Sequence, residues 1–168
     1  MDDDGLRPPT DGTRTAPAVL RLVLGAALVA VAVLTLTPDG TGWAWGSPVA
    51  ELRWYAGGLD SATTMVQLLG NLGLLVVPGA LMVLLWPASG RPDRLAGAAL
   101  AAGTAVELLQ WALPLGRVVS PLDAVLNAVG AVAAGLLVRH VRQAQARPSV
   151  RSALTAPAHG RSSLLRHN

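Results

Sequence analysis

Three pairs of polar residues interrupt apolar runs in this chain of 168 residues: Gln67 with Asn71, Glu107 with Gln110, and Asp123 with Asn127. Separations of three or four put both members of each pair on one face of a helix. Amides and carboxylates presented in this way can hydrogen-bond a polar group, and two carboxylates could act as acid and base. Arg117 stands between the second and third pairs and is the cation placed to meet Glu107 or Asp123. Each residue also has a plainer reading. Ser120-Pro121-Leu122-Asp123 spells a helix start, with Ser120 as N-cap, Pro121 first in the helix and Asp123 third, so capping alone could explain Asp123. The four amides are of the kind that tie membrane helices together. Glu107 has fewer structural reasons for its position, because an acid at mid-membrane costs roughly 2.5–3.5 kcal/mol.

Other chemistries find little footing. The chain has no Cys, which excludes disulfides, thiolate metal sites and cysteine nucleophiles. His140, His159 and His167 all follow the last apolar run, so no Ser–His pairing, metal site or cofactor is expected. All 13 basic residues are Arg. They flank apolar runs instead of mixing with aromatics on a polar surface, so nucleic acid is not an expected partner.

The elements that must position these residues follow from composition. Hydrophobic residues make up 52% of the chain and charged residues only 14%, against about 25% charge in an ordinary soluble domain. Four segments approach the about 20 apolar residues that a bilayer-spanning helix needs: 19–37, 64–86, 95–113 and 121–138. Thr37-Pro38-Asp39-Gly40, Ser89-Gly90-Arg91-Pro92 and Leu113-Pro114-Leu115-Gly116 supply the turns between them. The prediction is an all-α, integral-membrane, four-helix antiparallel bundle over 19–138. A disordered leader at 1–18 and a basic disordered tail at 139–168 flank it. The first span exceeds the apolar core of a signal peptide and is read as retained. Pro78-Gly79 should kink or loosen the second span. Ala99/Gly103 and Ala131/Gly135 permit close helix packing.

Charge sets the orientation. Eleven of the 13 Arg fall on one side of this four-span scheme, and only Arg53 and Arg117 on the other. The positive-inside rule then places both termini in the cytoplasm of a multi-pass cell-membrane protein. Trp43, Trp45, Trp54 and Tyr55 in the outer loop, Trp86 and Trp111 read as interfacial anchors, and a short interfacial helix is expected around 48–57. Glu107 then lies roughly 9 Å below the outer end of its span at 1.5 Å per residue. All three polar pairs share this outer half, forming a cup that opens outward.

At these residues the sequence resembles the VanZ-like family of bacterial membrane proteins. The resemblance rests on Glu107-Leu-Leu-Gln110, Gly116-Arg117, Asp123, Asn127, Gly130 and Gly135, with Asn71 and Pro78-Gly79 upstream. It covers about 64–138 and, more weakly, the first span. Leu75 stands where the family tends to have Phe. The resemblance implies a cell-envelope membrane protein linked to low-level teicoplanin resistance. The family has no established mechanism, so it carries no catalytic residues over.

Three functions compete. The first is a non-enzymatic outward site for an envelope lipid or amphiphile, with Asn71, Glu107, Gln110, Arg117, Asp123 and Asn127 as ligand-binding residues and Arg117 meeting an anionic head group. The second is an intramembrane enzyme using Glu107 and Asp123 as acid and base. The third is a small transporter, which four spans could build only as a homo-oligomer. The expected partners are the lipid bilayer and a lipid-linked envelope ligand.

Overall fold

The structure, a computed structural model, describes residues 12–154, with side chains described over 16–146. The expected leader and tail therefore lie partly outside the described residues. The elements in order are α1 (Gly12–Leu36), β1 (Trp43–Trp45), α2 (Pro48–Gly57), α3 (Ala62–Leu74), α4 (Val76–Leu85), a 3-10 turn (Pro87–Gly90), α5 (Pro92–Ala112), β2 (Arg117–Val119) and α6 (Pro121–Leu154). Four segments are long and apolar enough to cross a membrane: Ala16–Leu36, Ala62–Leu85, Pro92–Ala112 and Pro121–Ala146. The predicted spans agree with these to within a few residues at most ends. The short helix expected between the first two spans is α2.

Two boundaries differ from expectation. Helix α1 already begins at Gly12, inside the expected leader. Extending a helix that the apolar span has nucleated costs little. Helix α6 continues to Leu154, well past the expected end at 138. The segment 139–147 is rich in Arg, Gln and Ala, all strong helix formers. The second span breaks between α3 and α4 at Leu75, whose φ and ψ of −102° and 8° leave the helical range. The cause is Pro78, which has no N–H and whose ring excludes the carbonyl four residues back. As the third residue of α4 it sits in a first turn, where that N–H is not required.

Helix α6 is the axis of the bundle and packs along α5, α4 and α3, while α1 lies against α4 and α5. Backbones approach closely where small residues face them. A side chain at Gly130 would collide with the Leu72 carbonyl, which is why α3 can lie so near α6. Gly103 meets Ala124, and Gly135 meets Leu95 and Val83, as the expected small-residue positions require. Leu95, fully buried, and Val83 fill the centre of one end. Leu22, Val66 and Leu137 are exposed, an apolar exterior suited to lipid.

A feature absent from the sequence reading closes the other end. Strands β1 and β2 pair in parallel, with Trp43 opposite Arg117 and Trp45 opposite Val119. The ladder continues through Asp39 N–H to Leu115 O at 2.8 Å and Gly46 N–H to Val119 O at 2.8 Å. Gly116 adopts a φ of +71°, and a side chain there would run into the Gly40 backbone, so the position is open only to glycine. The loop after α1 and the loop after α5 are thereby stitched into one unit over the ends of the spans.

Candidate functional site: a polar cleft at one end of the bundle

The cleft forms where α1 and α5 end and α3 and α6 begin. It measures about 570 Å³. Gln67 and Asn71 of α3, Glu107 and Gln110 of α5, and Asp123 and Asn127 of α6 all line it, joined by Arg117 of β2. Every polar residue picked out by spacing thus meets the others in one place. Asn71, Glu107, Gln110, Arg117 and Asp123 have hydrogen-bond partners, and those of Glu107, Arg117 and Asp123 differ from the expected ones.

Glu107 is buried and reaches across to α6, where its Oε2 accepts a hydrogen bond from the Ser120 backbone N–H at 2.8 Å. In an ordinary capping box an acid at the third helical position would accept that N–H. Here the acid comes from another helix. The N-cap itself is as read from the sequence: Ser120 Oγ accepts from the N–H groups of Leu122 and Asp123 at 3.1 and 3.2 Å. The same hydroxyl donates to Glu51 of α2. Glu107 therefore has the structural role that its position in the sequence did not disclose.

Asp123, released from capping duty, accepts a hydrogen bond from the Tyr55 hydroxyl at 3.3 Å, and Asn71 Nδ2 donates to that same hydroxyl oxygen at 3.4 Å. Tyr55, read as an interfacial anchor, is only 5% exposed and links α2, α3 and α6. Burial, and then the negative charge of Asp123, hold its phenol above the usual 10.0, with the Asn71 bond pulling the other way. Glu51 and Tyr55 are the residues that the sequence reading missed. Their four-residue spacing on an expected helix was the available signal, since it puts both on one face.

Arg117 does not pair with Glu107 or Asp123. Its Nε and Nη2 donate instead to the Thr37 carbonyl at 3.1 and 3.0 Å. Carbonyls at a helix C-terminus lack intrahelical partners and carry partial negative charge, so a guanidinium is well placed there. Gln110 acts similarly: its Nε2 donates to the Thr35 carbonyl in the last turn of α1 at 3.0 Å. These two side chains clasp α1 to the rest of the bundle. Among the described residues the ion pair present is Arg91 with Asp93, far from the cleft.

Asn127 is 1% exposed, and its Oδ1 accepts no hydrogen bond. Leaving such an acceptor unpaired costs about 1–3 kcal/mol, so it marks a place where a donor belongs. The lining adds Asp39 to the two carboxylates, giving three acids against one Arg. That balance favours an occupant carrying hydroxyl, amide or ammonium donors. No group of His, Asp and Glu among the described residues has the arrangement of a metal site.

The fold is that of a helical protein with four membrane-span-capable segments, and a polar cleft lies near one end of it. The model of the VanZ/LLP1 family matches residues 22–142, and the chain belongs to that family. No curated protein and no solved structure matches it significantly.

Proposed function

We propose that the chain holds the polar head of an envelope lipid or similar amphiphile in this cleft, from the outer side of the cell membrane, and so contributes to glycopeptide resistance of the teicoplanin type. The observation that carries this reading is the convergence of seven polar side chains from α3, α5, β2 and α6 on one cleft amid apolar spans. The unpaired Asn127 Oδ1 and the acidic lining favour an occupant that donates hydrogen bonds. An anionic head group seated on Arg117 fits less well, because two of its donors are committed to Thr37. Binding is favoured over turnover because Glu107 and Asp123 each hold one oxygen on a structural donor, Ser120 N–H and Tyr55 O–H.

Cells expressing the wild-type chain, Asn127→Leu and Glu107→Gln are compared for teicoplanin susceptibility, with membrane insertion followed in parallel. Wild type should protect. Asn127→Leu should insert normally and lose the protection, since it fills the site with a side chain of similar volume and no acceptor. Glu107→Gln keeps an acceptor for Ser120 N–H and removes the charge, so it should insert normally and protect less. Full protection by Asn127→Leu would sink the binding role of the cleft, and absence of protection by wild type would sink the glycopeptide link.

A further inference from the structure

At the opposite end of the bundle, where the 3-10 turn joins α4 to α5, a second cavity of about 300 Å³ opens. Arg91, Arg139, Arg142 and Gln143 line it over a floor of Val83 and Pro87. Among the described residues, three guanidinium groups, which stay charged at any working pH, border this space and no carboxylate does. Asp93 does pair with Arg91, but both side chains are more than 60% exposed, so water screens the pair.

Two of the three cations are held in place. Arg139 Nη1 donates to the Gly90 carbonyl at 3.1 Å. Arg142 Nη1 donates to the carbonyls of Val83 and Leu84 at 3.2 and 3.1 Å, where α4 ends. Each bond uses one nitrogen of the guanidinium and fixes its plane, leaving further N–H donors for the cavity. Helix-end capping accounts for Arg142 taken alone. It does not account for Arg91, or for a cavity kept open between three like charges that repel one another. An anion placed among them removes that repulsion, and the forked geometry of guanidinium matches phosphate oxygens. The site lies where the spans end and beside the exposed Trp86, the level at which lipid head groups sit.

We propose that this cavity binds a phosphate group, presented either by an anionic lipid or by a soluble phosphate. It is a separate site from the polar cleft. The full-length chain, purified and stripped of lipid, is offered phosphatidylglycerol, phosphatidylcholine or inorganic phosphate, and bound species are read by native mass spectrometry. Phosphatidylglycerol should be retained at lower concentration than phosphatidylcholine. Arg91→Gln removes a side chain whose contact is the exposed Asp93, so the fold should survive. It should weaken phosphatidylglycerol retention roughly fivefold, the expected effect of one cation near an anionic head group. Arg139→Gln should weaken it further, and Arg53→Gln, at the other end and outside both cavities, should leave it unchanged. Displacement of the lipid by inorganic phosphate would support the site with a soluble phosphate as its ligand. Retention of lipid against inorganic phosphate would support it with the lipid as its ligand. Equal retention of the two lipids by wild type, or undiminished phosphatidylglycerol retention in Arg91→Gln, would overturn the proposal.

Discussion

Tyr55 joins three elements through one oxygen, donating to Asp123 and accepting from Asn71. It is also the single tyrosine of the chain, so its ionisation can be followed without interference. Burial and the Asp123 charge disfavour the phenolate, which raises the pKa above 10.0. The sign follows directly: phenolate absorbance should appear at higher pH than for free tyrosine, and Asp123→Asn should move the midpoint back down. A midpoint unchanged by Asp123→Asn would remove Asp123 from contact with Tyr55. The residue scale also shows what spacing can and cannot disclose. Pairs three or four apart announced the shared faces of α3, α5 and α6, because helical periodicity is local. The partners of Arg117 and Gln110 stayed hidden because they are backbone carbonyls in the last turn of α1 and just past its end, which carry no letter in the sequence. Pairing Arg117 with the nearest acids was a reasonable inference from charge, and the end of a helix outcompeted them.

At the scale of elements, apolar runs made the four spans legible, and the Ser120-Pro121 signal fixed the start of α6. The β1–β2 ladder was not legible, since two strands of three residues separated by more than 70 positions leave no periodicity to read. The break at Leu75 was foreseeable from Pro78, and its position three residues upstream follows from the excluded carbonyl. What brings the polar faces together is the approach of α3 to α6 at Gly130, and this can be tested. Gly130→Ala places a methyl group against the Leu72 carbonyl, backbone that cannot rotate away. It should destabilise the protein by about 1–3 kcal/mol, as overpacking does. Gly97→Ala on α5 is the matched control, because a side chain there meets nothing within 4 Å. That change should be neutral or stabilising by up to about 1 kcal/mol through helix propensity. Thermal unfolding of both variants in the same detergent reads the difference. Equal melting temperatures would mean that α3 and α6 do not touch at Gly130.

The whole molecule is polarised along its axis, with an acid-rich cleft at one end and a guanidinium-lined cavity at the other. The cleft and the cavity lie at opposite ends of the same four spans, so a single measurement of orientation assigns both at once. The distribution of Arg predicts the answer. Arg21, Arg91, Arg94, Arg139 and Arg142 gather at the end where α1 and α5 begin, whereas Arg53 and Arg117 belong to the cleft end. Cations are retained on the cytoplasmic side, so the cleft should face outward. The chain has no native cysteine, which makes site-directed labelling unambiguous. Asp60→Cys places an exposed thiol between α2 and α3 at the cleft end, and Ala88→Cys places one in the 3-10 turn at the other. A membrane-impermeant maleimide added to intact cells should label Asp60→Cys and spare Ala88→Cys until the membrane is opened. The reverse pattern would turn the molecule over. The polar cleft would then face the cytoplasm, and an outer-leaflet head group could not reach it without crossing the membrane.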